Sequence, residues 1–168
     1  MKWNSQHRMI GSNAPLWIVE NLLVDSLLFL RVIPQTVMSL VDIGSGAGLP
    51  GIPLKIVRPD IRVLLVESKG RRATFLRTVI RELRLSDIGV LSDRVLDVPG
   101  DLCKSFDVAV ARCAGRSGRT IRLGMEFVRP GGTVVLSGPP APRQADAGQY
   151  TVIPLPDGTT RRFIVYST

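Results

Sequence analysis

The residues that could do chemistry gather in two short runs. In Asp42-Ile43-Gly44-Ser45-Gly46-Ala47-Gly48 a carboxylate stands at the edge of three alternating glycines. Downstream, the apolar run Ile61 to Val66 ends at a second carboxylate, Glu67. Glycines let a backbone turn tightly and come close to a ligand. An apolar strand, a Gly-rich turn and a helix together grip a nucleotide-like ligand beyond the carboxyl ends of a parallel sheet. Asp42, Gly44, Gly46 and Glu67 are therefore candidate binding residues.

Two ligand types compete for this pattern. Gly46-Ala47-Gly48-Leu49-Pro50-Gly51 formally matches GxGxxG, and Glu67 stands where a ribose carboxylate would. Two features argue against NAD. Asp42 would set a carboxylate beside a pyrophosphate, and Pro50 removes a backbone N–H where a phosphate needs donors. S-adenosylmethionine carries no phosphate. It has an ammonium, a carboxylate, a sulfonium and an adenosine. A carboxylate entering the loop suits its cationic part, and Glu67 suits the ribose hydroxyls. The expected cofactor is S-adenosylmethionine.

The elements that must position these residues alternate along the chain. Residues 1 to 36 read as an N-terminal helical arm, and 37 to 168 as the ligand-binding domain. Pro15 can open a helix whose apolar face is Trp17, Leu22, Leu23, Leu27 and Leu30, with Pro34 ending it. Strands are predicted at 37–43, 61–66, 88–91, 106–111 and 133–136. Helices are predicted at 51–57, 69–85 and 117–128, the last stopping at Arg129-Pro130-Gly131-Gly132. Strands at 151–155 and 161–166 flank Pro156-Asp157-Gly158, a hairpin turn signal. The fold class is α/β: an open, doubly wound, mostly parallel sheet with an N-terminal helical arm and a C-terminal antiparallel hairpin.

Composition narrows the function classes. The 168 residues carry 22 Lys and Arg against 14 Asp and Glu, a net charge of +8 that favours a polyanionic partner. Arg77, Arg81 and Arg84 share a helix face and, with Arg116, Arg119 and Arg122, form either an RNA track or a solvated surface. Aromatics are 5%, too few to indicate single-strand stacking. Cys103 and Cys113 form no CxxC pair and His7 is the single histidine, so no metal site is expected. No signal peptide or membrane span is legible, so the expected location is the cytoplasm.

The segment Val41 to Leu85 resembles the bacterial 16S rRNA guanine-N7 methyltransferase G family, also called glucose-inhibited division protein B. The resemblance rests on GLPGIPL at 48–54, on IVRP at 56–59, on the acidic strand end, and on Gly70-Arg71-Arg72-Ala73-Thr74-Phe75-Leu76. Weaker likeness continues through Ser92-Asp93-Arg94-Val95 and Phe106-Asp107-Val108. Val24-Asp25-Ser26-Leu27 is similar to the family's N-terminal helical region. The resemblance implies a class I S-adenosylmethionine-dependent methyltransferase acting on 16S rRNA or the small ribosomal subunit. It implies cofactor contacts at Gly44, Leu49, Val95 and Leu96, a ribose carboxylate at Glu67, and a functional arginine at Arg112. Val95 and Leu96 would offer backbone N–H and an apolar shelf to an adenine.

The sequence departs from the family on the acceptor side. Ala111-Arg112-Cys113 stands for Ser-Arg-Ala, and Leu136-Ser137-Gly138 for Leu-Lys-Gly. Three readings stay open: an rRNA guanine-N7 methyltransferase, a small-molecule methyltransferase derived from that family, or an inactive cofactor-binding paralogue. Guanine N7 is a neutral nucleophile with an exposed lone pair, so transfer to it needs alignment rather than a general base. Alignment of this kind is worth ~7–11 kcal/mol. Arg112, at a strand's carboxyl end, is the candidate catalytic residue, anchoring a phosphate or the guanine O6 and N7 edge.

Overall fold

The computed structural model describes residues 4, 9–92, 95, 98–112, 117–137, 148–155 and 158–168. A continuous helical segment, α1, runs through Pro15–Ile18, a π-helical stretch at Val19–Val24, Asp25–Leu27 and a 3-10 end at Leu28–Arg31. It is followed by β1 (Ser39–Ile43), α2 (Gly51–Val57), β2 (Arg62–Val66), α3 (Gly70–Glu82) and β3 (Ile88–Leu91). Then come β4 (Phe106–Arg112), α4 (Ser117–Phe127), β5 (Val128–Ser137), β6 (Gln149–Pro154) and β7 (Thr160–Ser167).

The seven strands form one sheet in the order β3-β2-β1-β4-β5-β7-β6. The first five are parallel, and β7 enters antiparallel between β5 and β6. The strand order reverses beside β1, which puts the carboxyl end of β1 at the switch point where such sheets bind ligands.

The sheet is buried on both faces, so its central strands are apolar throughout. One core layer joins Phe29, Leu40, Ile52, Leu65, Leu76, Val110 and Phe163 under α1, α2 and α3. The other joins Val41, Phe106, Ala109, Phe127, Val134 and Leu136 under α4. Side chains alternate along β1. Leu40 and Asp42 therefore face the α2 layer, and Val41 faces α4. Phe29 of α1 meets Phe163 of β7 edge to face, with centroids 4.9 Å apart. Residues 1 to 36, expected as an arm, thus contribute Phe29 and Ile33 to the same core.

Two polar groups, one buried and one half-buried, hold the ends of these elements. Lys55 in α2 is 2% exposed, and its Nζ donates to the carbonyls of Pro59 and Ile61 at 2.8 and 2.7 Å. At the amino edge of the sheet, Asp107 Oδ2 accepts from Met38 N, Ser39 N and Ser39 Oγ. Its Oδ1 accepts from Arg129 Nε at 2.6 Å. Burial alone would raise the Asp107 carboxyl, but these bonds outweigh it and hold the group below its ordinary range.

The helix 51–57 and the strand 88–91 fall where the sequence puts them, and the other elements shift by a few residues. Two expectations need correction. The buried face of α1 is Leu22, Ser26 and Phe29, whereas Trp17 and Leu23 are exposed. Leu22, Ser26 and Phe29 keep the i, i+4, i+7 spacing of one helix face, but its middle position is polar. Ser26 is tolerated there because its Oγ donates to the Leu22 carbonyl at 2.5 Å. The helix stops before residues 129–132 as expected, but the strand expected from Thr133 begins at Val128, so these residues lie within β5. The pairing passes from Phe106↔Val128 to Val108↔Thr133, so they form an irregularity in one strand. Gly131 takes φ +77° there.

Replacing Lys55 by Met removes both bonds and leaves the buried Ile61 carbonyl without its donor. Urea unfolding should report a loss of about 1–3 kcal/mol.

Candidate functional site: the glycine loop and the carboxyl edge of the sheet

The loop after β1 is shaped by two carboxylates. Its backbone leaves the strand with Gly44 N and Ser45 N both donating to the Val66 carbonyl, at 2.8 and 3.0 Å. Gly44, Gly46 and Gly48 take φ of +74°, +57° and +86°, the left-handed region that side chains disfavour. A Cβ at Gly44 would meet nothing within 4 Å, so the backbone there faces open space. Gly51 is glycine for the opposite reason. A Cβ there would lie 2.4 Å from Leu65 Cδ2 and 2.7 Å from Asp42 Oδ2.

Asp42 is fully buried. Its Oδ2 accepts from Gly51 N at 2.9 Å, which secures the start of α2. Among the described residues its Oδ1 has no hydrogen-bond partner. Burial pushes the carboxyl up from 3.8 to about 7, against the bond from Gly51 and the nearby Arg112 cation. The sequence suggests that Asp42 meets a cationic ligand directly. The structure sets it beneath the loop, because an even-numbered residue of β1 faces α2.

Glu67 follows β2 directly and is 4% exposed. Its Oε2 accepts from Gly46 N at 2.9 Å, and its Oε1 from Lys69 N at 2.8 Å. Arg72 Nη1 stands 4.0 Å from Oε2. Gly46 and Glu67, paired in the sequence by pattern alone, are thus joined by a hydrogen bond.

A cavity of about 240 Å³ opens on this loop. Ile43 and Gly44 from the end of β1, Val66 and Ser68 from the end of β2, Val95, and Arg119, Thr120 and Leu123 of α4 line it. Gly44 and Val95 therefore meet as expected. Leu49 does not join them. With Ala47 it lines a second, apolar cavity of about 150 Å³ against Ile18, Leu22 and Leu23 of α1 and Phe75 of α3. Leu96 lies outside the described residues.

Arg112 ends β4 at the same edge. Its Nη2 lies 3.4 Å from Asp25 Oδ2 and 3.4 Å from the Asn21 carbonyl. Sequence reasoning named Arg112 but missed its partner. The Val24-Asp25-Ser26-Leu27 run was the available signal. The proposed arginine track divides, since α3 and α4 cover opposite faces of the sheet. Arg77, Arg81 and Arg84 are exposed on one side, and Arg119 reaches the cavity from the other.

The site joins an open glycine backbone, a cavity at the switch point and two buried carboxylates. That set fits a ligand with ribose hydroxyls, and among the described residues Arg119 is the cation that lines the cavity. Among the described residues no group of three His, Cys, Asp or Glu side chains could hold a metal ion. No helix among them is long and apolar enough to cross a membrane.

Comparison with known proteins gives consistent findings. A family model described as rRNA small subunit methyltransferase G matches residues 1–141. The chain is 42% identical over 125 residues to ribosomal RNA small subunit methyltransferase G of Sorangium cellulosum, covering 73% of this chain and 52% of that protein. It is 34% identical over 136 residues to the Helicobacter hepaticus protein of the same name, covering 81% and 72%. The chain spans about half the length of the first of these relatives. Among solved structures, a SAM-dependent methyltransferase from Aquifex aeolicus superposes with a TM-score of 0.68 at 13% identity, covering 92% of this chain and 94% of that one. Precorrin-6y C5,15-methyltransferase from Geobacter metallireducens gives 0.61 at 13%, covering 87% of each. These likenesses establish the fold.

The raised Asp42 carboxyl carries a pH signature. The folded protein holds a proton that the unfolded chain releases above 3.8, so Asp42's contribution to stability is full below that pH. It is lost as the pH rises through about 7. Asp42→Asn keeps an acceptor for Gly51 N and removes the titration. The urea midpoint of the wild type should fall across this window more steeply than that of the variant.

Proposed function

The chain belongs to the rRNA small subunit methyltransferase G family, and on that premise we propose that it binds S-adenosylmethionine and methylates guanine N7 in 16S rRNA. The observation that carries the reading is the cavity on Gly44, backed by Glu67 and by a β1 end where no side chain intrudes. When bound, the cofactor supplies an electrophilic methyl group on a positively charged sulfur.

The chain's own residues would act as follows. Gly44 presents bare backbone to the ligand. Glu67 spends two acceptor positions on Gly46 N and Lys69 N. A carboxylate has about four lone-pair sites, so it keeps capacity for ribose hydroxyls. Val95 and Leu123 give the cavity apolar walls for a purine. Asp42 acts from below, fixing the loop through Gly51 N. Leu49 supports the loop from its apolar side. Arg112 holds a guanidinium at the acceptor edge, with Asp25 fixing its position. Guanine N7 is already a competent nucleophile, so these residues orient and exclude water rather than move a proton.

A small-molecule acceptor is the second reading. Ser137, the register partner of Arg112, is a small neutral side chain at the acceptor edge. Methyl transfer to 16S rRNA, naked or in 30S subunits, separates the two. Mass spectrometry should find 7-methylguanosine with the wild type. Arg112→Ala should lower kcat/KM for RNA by about 10–100-fold, the range for one lost charge-assisted contact. Glu67→Ala should weaken S-adenosylmethionine binding by a similar factor, read by equilibrium dialysis. Cofactor binding without transfer to either RNA would favour the small acceptor.

A further inference from the structure

One carboxylate joins the helical arm to the far side of the sheet. Asp25 of α1 accepts from Arg161 Nε through Oδ1 at 2.6 Å, while its Oδ2 faces Arg112 Nη2 at 3.4 Å. The Asp25 side chain is 12% exposed, and Arg112 and Arg161 are 25% and 35% exposed. A single negative charge thus gathers two positive ones, leaving one net positive charge with a half-open face.

Both arginines stand at the ligand edge. Arg112 pairs with Ser137 of β5, and Ser137 pairs with Phe163 of β7. Arg161 lies two residues before Phe163, so it shares that residue's face and projects past the end of β5. Among the described residues, Arg112 Nη1 and Arg161 Nη2 have no hydrogen-bond partner. Neither arginine lines the Gly44 cavity, so this cluster is separate from it. Arg161 also lies beyond residues 1–141, the part that the family model matches. Guanidinium forks fit phosphate oxygens with paired N–H donors, and two forks held side by side are pre-organised for one. The excess of basic residues over the whole chain agrees with a polyanion.

We infer that Asp25 is the positioning residue of a two-arginine anion site, in which Arg112 and Arg161 grip a phosphodiester oxygen of the RNA beside the acceptor base. The inference rests on the RNA reading above. The site differs from a general basic surface in one respect: its geometry depends on a negative charge.

That dependence makes the test. Binding of intact 16S rRNA by the full chain is measured by filter retention across a range of KCl concentrations, and S-adenosylmethionine binding is measured separately. The wild type should bind RNA with a steep salt dependence. Arg161→Gln should weaken RNA binding several-fold, lower the slope of log K against log salt by about 1, and leave cofactor affinity unchanged. Arg161→Lys should recover the slope but not the full affinity, because it restores charge without the fork. Asp25→Asn should weaken RNA binding although it makes the protein more positive, and Asp25→Glu should restore part of it. Three results would overturn the site. These are a wild-type slope in Arg161→Gln, RNA binding by Asp25→Asn as tight as wild type or tighter, or a parallel loss of cofactor affinity in Arg161→Gln. A wild type with no salt-dependent RNA binding would instead sink the RNA reading, and is visible before any variant is made.

Discussion

The structure depends on how a run of left-handed glycines is held in place. A loop with three positive-φ residues gains nothing from regular secondary structure, and its N–H groups need acceptors. The chain meets this with carboxylates and one carbonyl. Val66 O takes Gly44 N and Ser45 N, Glu67 Oε2 takes Gly46 N, and Asp42 Oδ2 takes Gly51 N. These bonds cross from β1 to β2 and into α2. The two strands and the helix therefore set the loop's shape together.

From this constraint the rest follows by alternation and topology. Asp42 faces α2 because Leu40 does, and it is buried because that layer is the core. Gly51 has no side chain because Asp42 and Leu65 fill the room. The reversal of strand order between β1 and β4 leaves the crevice in which the Gly44 cavity opens. On the far side of β4, Asp25 ties the N-terminal helical arm to Arg112 and Arg161.

Much of this was legible in the sequence, for physical reasons that can be named. The helix 51–57 and the strand 88–91 were found because Pro, Gly and apolar runs mark them sharply. Gly46 and Glu67 were each named as ligand contacts, but the hydrogen bond between them was not foreseen, because no local pattern shows which backbone N–H a strand-end carboxylate will take. The buried face of α1 was missed because one of its positions, Ser26, is polar, while the apolar Trp17 and Leu23 lie off it. The place of Asp42 beneath the loop needed the facing of β1, which a single apolar run does not disclose. Arg161 was missed because its partner Asp25 lies 136 residues away and no local pattern joins them.

The central claim is that this loop takes S-adenosylmethionine and not a dinucleotide. Titration calorimetry of the intact chain with each ligand in turn tests it most directly. The account predicts one-to-one binding of S-adenosylmethionine and no heat from NAD at the same concentrations. Heat from NAD alone, or none from S-adenosylmethionine, would contradict it.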